Sequence, residues 1–270
     1  MKERWQNFFK QIYPELAFKG YRVTIENEEN LEILTNPQIP VVVYANHLAG
    51  DDPVIVSALV THVTEGKRKI IIPVSEKYAS LTGGLSLYAI GVLAARRLLG
   101  WQMPGIVQSY RLRDERLSQD QKEEMTRKAS ELSRQFFYEV KESLKQEEKP
   151  GIVIFPEGHR SEQGLLPAEA GIGFLARFMR KNNGFVLPIG LIYHGGKRGL
   201  NYNPFNPLSV DVVVGPPLSY NDVVAKGEKL YSKYGLSFSE NSKDMIAHTL
   251  MWYLTQLLPE DLHGYYSSSL

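Results

Sequence analysis

Cysteine is absent from the 270 residues of the chain, which excludes disulfide scaffolds, thiolate zinc sites, iron–sulfur clusters and cysteine nucleophiles. An excess of either charge is missing too: 31 Lys and Arg face 30 Asp and Glu, a formal net charge of +1. A surface built throughout for nucleic acid is thereby excluded, and no nucleic-acid partner is expected. Long apolar runs are also lacking. The uncharged stretch from Tyr78 to Ala95 is broken by Ser80, Thr82, Gly83, Gly84 and Ser86, so it never becomes the about 20 apolar residues that a spanning helix needs. The N-terminus has neither the apolar run nor the small-residue cleavage site of a secretory signal, which places the chain in the cytosol or on a membrane face. The six histidines contain no H-E-x-x-H pair or other close ligand spacing, so no metal is expected.

What is present begins with a helical stripe. Trp5, Phe8, Phe9, Ile12, Tyr13 and Leu16 recur at i, i+3, i+4, i+7, i+8 and i+11, which puts them on one face of an N-terminal amphipathic helix. Such a face packs either on a core or in the headgroup region of a bilayer. Further on, short β-branched runs alternate with longer helical patterns, the signature of an α/β layer fold. Strands are predicted at Tyr21 to Ile25, Val41 to Ala45, Lys69 to Val74, Gly105 to Ser109, Gly151 to Phe155, Phe185 to Ile192 and Val210 to Val214. Helices are predicted at Pro53 to His62, Leu85 to Leu99, Asp114 to Gln146, Glu169 to Lys181 and Lys243 to Leu257. Several strands are apolar throughout, so the sheet is expected to be covered on both faces. The expected architecture is one α/β domain over residues 21–270, its central sheet mostly parallel or mixed and flanked by helices on both faces. Residues 1–20 precede it as the amphipathic helix.

Chemistry first shows where Val41 to Ala45 runs into Asn46-His47-Leu48-Ala49-Gly50-Asp51-Asp52-Pro53. Ligand sites in α/β sheets gather at the carboxyl ends of strands. Residues five apart lie about 140° from each other around an α-helix, so His47 and Asp52 can meet only across a non-helical turn, which Gly50 permits. Asp52-Pro53 also reads as an N-cap followed by proline at the first helical position. Two readings are open: Asp52 only caps a helix, or its carboxylate fixes the tautomer of His47 so that the other ring nitrogen acts as general base. A second apolar strand breaks into Phe155-Pro156-Glu157-Gly158-His159-Arg160-Ser161. Proline and glycine there dictate a tight turn, and Arg160 offers a rigid fork for phosphate or carboxylate.

Together these segments resemble the glycerolipid acyltransferase family, which includes glycerol-3-phosphate and 1-acylglycerol-3-phosphate acyltransferases. The resemblance rests on Asn46-His47 with Asp52, then Phe155-Pro156-Glu157-Gly158 with Arg160-Ser161, in that order. Weaker blocks are Gly105 to Arg111, Val186 to Gly190, Gly171 to Ala176 and Val214 to Pro217, so it spans roughly residues 21 to 220. His159 departs from the threonine common at its position.

The resemblance implies transfer of a fatty acyl group from a thioester donor, acyl-CoA or acyl carrier protein, to a hydroxyl of a lysophospholipid or glycerol phosphate acceptor. The first expectation is 1-acylglycerol-3-phosphate giving phosphatidic acid. His47, held by Asp52, would be the base, with no covalent acyl-enzyme and no cofactor. Arg160 and Arg111, or Arg113 two residues on, would hold the acceptor phosphate. The Gly158 amide would serve phosphate or oxyanion, and Glu157 would orient the acceptor hydroxyl or the turn. A remodelling transacylase and a non-catalytic lipid-binding protein on the same fold are the alternatives. Gly171-Ile172-Gly173-Phe174-Leu175-Ala176 matches a dinucleotide pattern, but no strand precedes it, which disfavours a dehydrogenase. A long-chain lysolipid substrate would place the enzyme on the cytoplasmic face of a membrane as a peripheral protein. Trp5, Phe8, Phe9 and Ile12 would dock, helped by Lys2, Arg4, Lys10, Lys67, Arg68, Lys69, Arg96 and Arg97.

Overall fold

The computed structural model describes residues 2–79, 87–112, 114–161, 164–195 and 203–267. In chain order the elements are α1 (Lys2–Phe18), β1 (Tyr21–Glu26), β2 (Val41–Ala45), α2 (Asp52–Val63), β3 (Ile70–Ile71), β4 (Val74–Ser75), α3 (Glu76–Ala79), α4 (Leu87–Ala94), β5 (Gly105–Ile106), α5 (Ser109–Leu112), α6 (Gln119–Leu144), β6 (Gly151–Ile154), α7 (Ala170–Arg180), β7 (Phe185–His194), β8 (Leu208–Val214), α8 (Tyr220–Lys233) and α9 (Lys243–Thr255). Six strands form one sheet in the order β1-β8-β7-β2-β6-β3, and β4 and β5 pair apart from it. β7, β2, β6 and β3 are mutually parallel, whereas β8 runs antiparallel to β7 and carries β1 parallel beside it. The sheet is therefore mixed.

β2 shows why the layers form. All five of its residues are buried, because alternate side chains enter two different apolar layers. Val41, Val43 and Ala45 pack with Ile55, Val56 and Leu59 of α2, where Phe9 and Tyr13 of α1 also rest. Val42 and Tyr44 pack with Val140 of α6, Leu175 of α7 and Leu250 of α9. A strand with no polar face is stable only when helices cover it on both sides, and the fold supplies them. α7 and α9 approach so closely that a Cβ on Gly173 would stand 1.9 Å from the Lys243 carbonyl oxygen.

Several expectations need correction. The strand expected over Lys69 to Val74 divides into β3 and β4 because Pro73, which has no N–H to give a ladder, sits between them. The strand expected over Gly105 to Ser109 ends at Ile106, so Arg111 belongs to the short helix α5. The long helix begins at Gln119, where the Ser118 hydroxyl accepts from the Gln121 amide and the Gln121 side chain returns the bond, a capping box. α8 was not expected at all, although Ser219 and Asp222 form the same kind of box. β7 extends two residues beyond Ile192, pairing Tyr193 with Val210 and His194 with Ser209. Leu85 and Ser86, the expected start of one helix, and Arg113 lie outside the described residues.

Arg68 is not a surface cation. Its side chain is 3% exposed, and its guanidinium donates to the carbonyls of Leu34, Asn36, Ile39, Lys149 and Pro150. It thereby ties the entries of β2 and β6 together. Arg96 also turns inward, to the carbonyls of Ala79 and Met103.

Candidate active site

β2 and β6 are parallel neighbours in register from Val41 with Gly151 to Tyr44 with Ile154, so the polar segments that follow them emerge side by side. The backbone then stitches the two together. The His47 amide donates to Glu157 Oε1 at 2.7 Å, and the His47 carbonyl accepts from the Ser161 amide at 2.9 Å. On the other side, Asn46 prolongs the β2–β7 ladder with its side chain. Its Nδ2 donates to the Leu191 carbonyl at 2.9 Å and its Oδ1 accepts from the Leu191 amide at 2.7 Å. His47 thus stands on a backbone fixed from both neighbouring strands.

The turn through Gly50 brings Asp52 back to His47, as the spacing required. Asp52 is fully buried, and its Oδ2 lies 2.9 Å from His47 Nδ1 and accepts from the Ala49 amide at 2.8 Å. Oδ1 accepts from the Tyr193 hydroxyl at 2.5 Å. Asp52 is therefore the first residue of α2 and not its N-cap; the cap position is Asp51. With Asp52 accepting, Nδ1 carries the proton and Nε2 holds the lone pair. Among the described residues, none hydrogen-bonds Nε2. The imidazole ring packs against Phe155 with 4.6 Å between ring centroids, which limits its rotation.

Glu157 is 1% exposed. Both of its oxygens are taken by backbone amides, Oε1 by His47 and Oε2 by Leu166 at 2.8 Å. Burial pushes its carboxyl up to about 8 against the pull of those two amides, and the charge on Asp52 pushes the same way. Of the two roles expected for Glu157, the geometry matches the one that braces the turn. Gly158 has φ +71°, a left-handed conformation that favours glycine. Its amide donates to the Phe155 carbonyl at 3.1 Å and its carbonyl accepts from Gln108 Nε2 at 2.5 Å. The Gly158 amide is thus engaged inside the turn.

The two arginines stand differently. Arg160 is exposed, and its guanidinium lies over the Tyr88 ring, 6.0 Å from the centroid. A Cβ on Gly50 would come within 2.1 Å of the Tyr88 hydroxyl oxygen and 3.3 Å of Arg160 Nη1, so Arg160 borders the His47 turn. Arg111 is turned to Glu76, its Nη1 2.5 Å from Oε1. Gln108 nonetheless ties the Arg111 segment to the Gly158 turn. His159 is half-buried in that same turn. Among the described residues, no three His, Asp or Glu side chains group as metal ligands do.

Sequence reasoning missed Tyr193, Gln108 and Tyr88. Tyr193 had a signal: it continues the inward alternation Leu187, Ile189, Leu191 along β7, where a hydroxyl replaces an aliphatic end. Gln108 lies within the Gly105 to Arg111 block but nothing singled it out there, and nothing pointed to Tyr88 of α4; both meet the Gly158–Arg160 turn from far away in the chain.

On α1, Trp5 is 58% and Phe8 50% exposed, while Phe9 packs on the core and Ile12 is half-buried. Tyr13 anchors the helix, its hydroxyl at 3.1 Å from the Val54 carbonyl and its ring 5.1 Å from that of Trp101. Gln6 Nε2 donates to the Arg97 carbonyl at 3.2 Å, which sets the exposed Leu98 close by. Among the described residues no helix is long and apolar enough to cross a membrane.

A family model described as Acyltransferase matches residues 22–192. Among solved structures, the crystal structure of the 1-acyl-sn-glycerophosphate acyltransferase PlsC from Thermotoga maritima is similar at 17% identity and a TM-score of 0.49. That similarity covers 95% of this chain and 83% of that one. No curated protein matches. The family match takes in more than half of the chain and both the His47–Asp52 and Glu157–Arg160 segments, so the chain belongs to the acyltransferase family.

Proposed function

We propose that the protein transfers a fatty acyl group from a thioester, acyl-CoA or acyl carrier protein, to a hydroxyl of a glycerophosphate acceptor, with 1-acylglycerol-3-phosphate as the first candidate. The observation that carries this reading is the His47 Nδ1–Asp52 Oδ2 contact of 2.9 Å at the carboxyl end of a central parallel strand. In the proposed step His47 Nε2 takes the acceptor hydroxyl proton as the oxygen attacks the thioester carbonyl carbon. The tetrahedral intermediate then collapses, the C–S bond breaks, and the thiolate recovers a proton from the imidazolium. The new ester leaves with the acceptor, and the protein is returned unchanged. The buried Asp52 carboxylate stabilises the imidazolium that forms in between.

Arg160 is the cation placed to grip the acceptor phosphate, since guanidinium and phosphate match as forks. Arg111 joins it only by releasing Glu76. The test is purified protein offered a panel of acyl donors and glycerophosphate acceptors, with products identified by mass. Acylated acceptor formed from a thioester supports the reading. Transfer from a phospholipid donor alone would make the protein a transacylase, and binding without turnover would make it a lipid-binding protein.

The same reading places the work at an anionic bilayer face, with Trp5 and Phe8 of α1 as docking residues beside the exposed Leu98, and with Arg4 and Arg97 nearby as cations. Phe9 and Tyr13 hold the helix to the body instead, and Ile12 is half-buried. Trp5 and Phe8 are exposed but their rings also meet Phe9, so replacing both with serine should weaken sedimentation with anionic vesicles while lowering the melting temperature only slightly. Unchanged vesicle binding refutes this part.

A further inference from the structure

Asp52 has three donors, and only two of them come from its own turn. The Ala49 amide and His47 Nδ1 meet Oδ2, whereas Oδ1 is met from across the sheet by Tyr193 at 2.5 Å. A fully buried carboxylate oxygen left without a donor is costly, and a carboxylate free to rotate about its Cβ–Cγ bond cannot hold an imidazole in one orientation. Tyr193 removes both problems. Its own place is fixed: β7 pairs it with Val210 of β8, and two residues earlier Leu191 is clamped through both backbone polar atoms by the Asn46 side chain. The residue next to His47 in sequence thus sets the register of the strand that reaches Asp52.

We infer that Tyr193 is a positioning residue of the His47–Asp52 pair, acting through Asp52 to fix the carboxylate plane and with it the tautomer and orientation of His47. This rests on the acyl-transfer reading for its effect on rate, though not for its effect on His47 itself. Burial, followed by the charge on Asp52, holds the Tyr193 hydroxyl well above the ordinary tyrosine range, so it stays a donor at every working pH. Among the described residues, the charged and titratable groups that face the pair include Asp51 and Asp52 at the start of α2, Glu157 after β6, Tyr21 on β1 and the Arg160 guanidinium across Gly50. The two aspartates add negative potential, which the Tyr193 hydrogen bond disperses at Asp52.

The direction of the effect follows. Without Tyr193, more of the Asp52 charge falls on His47 and the imidazolium is favoured, so the His47 titration moves to higher pH. Tyr193→Phe keeps the ring in its apolar layer and deletes only the hydroxyl. Titration of His47 by its ring nitrogen signals in ¹⁵N-histidine-labelled protein should show an upward-moved midpoint. In the transfer assay kcat should fall about tenfold, the size of part of a hydrogen bond to a charged group. The KM of the acceptor should stay unchanged, and the acid limb of the kcat profile should move upward in pH. In an Asp52→Asn background the same substitution should cost nothing further, because its path to His47 is already cut.

An unmoved His47 midpoint, or an equal loss in both backgrounds, overturns the inference. Failure of the acyl-transfer reading looks different: wild type would then form no acylated product, or His47→Ala would transfer at the wild-type rate, while the Tyr193→Phe titration still shifts.

Discussion

Glu157 is a buried acid held by two amides, and replacing it with glutamine tests whether its role is to brace the turn. Its carboxyl stands at about 8 in the folded protein, chiefly through burial, against an ordinary 4.5. A raised carboxyl contributes stability that is complete below the unfolded value and is lost as pH rises through the folded value. From pH 5 to pH 8.5 the wild-type protein should therefore lose about 4 kcal/mol that a glutamine variant does not lose, at about 1.4 kcal/mol for each unit of displacement. Glutamine can accept from the His47 amide but presents an NH₂ to the Leu166 amide, so the variant should be the less stable protein at pH 5. The gap should close or reverse by pH 8.5. Urea unfolding of both proteins across that range reads it directly. A stability difference that does not change with pH would refute the assignment of Glu157 as a buried, proton-retaining brace.

Two further outcomes concern the frame around the site. Gly173→Ala should destabilise by about 3 kcal/mol, since its Cβ meets backbone of α9 at 1.9 Å, whereas Gly171→Ala, with open space around it, should be neutral or stabilising; equal melting temperatures for the two would contradict the packing described. Arg68→Met should cost about 3 to 5 kcal/mol in urea unfolding, because five carbonyls lose a buried cationic donor. A loss below about 1 kcal/mol, the level of an exposed ion pair, would show that the clamp is idle.

How far the sequence speaks depends on the range of the interaction. Val41 to Ala45 was legible to the residue because five consecutive apolar side chains between turn signals can only be a covered strand. Lys69 to Val74 read as one strand because its apolar content outweighed Pro73, whose missing N–H decided the matter. The nearness of His47 and Asp52 was legible from a five-residue spacing across Gly50. Its support was not, for Tyr193 lies 141 residues from Asp52, and Glu157 lies 110 from the amide it accepts. Arg111 shows the same limit: its block was recognisable, but the Glu76 that holds it comes from an unrelated segment. The Ser219–Asp222 box that starts α8 was a local signal and could have been read; weak apolar periodicity after it hid the helix.

The central claim is that His47, held by Asp52, is the base for acyl transfer to a glycerophosphate hydroxyl. The measurement that tests it most directly is product formation by mass, with an acyl thioester and 1-acylglycerol-3-phosphate, for wild type, His47→Ala and Asp52→Asn proteins of matched melting temperature. The account predicts acylated product from wild type and a loss of about 10²- to 10⁴-fold in kcat for His47→Ala, with Asp52→Asn also strongly impaired. A folded His47→Ala protein that transfers the acyl group at the wild-type rate would contradict it.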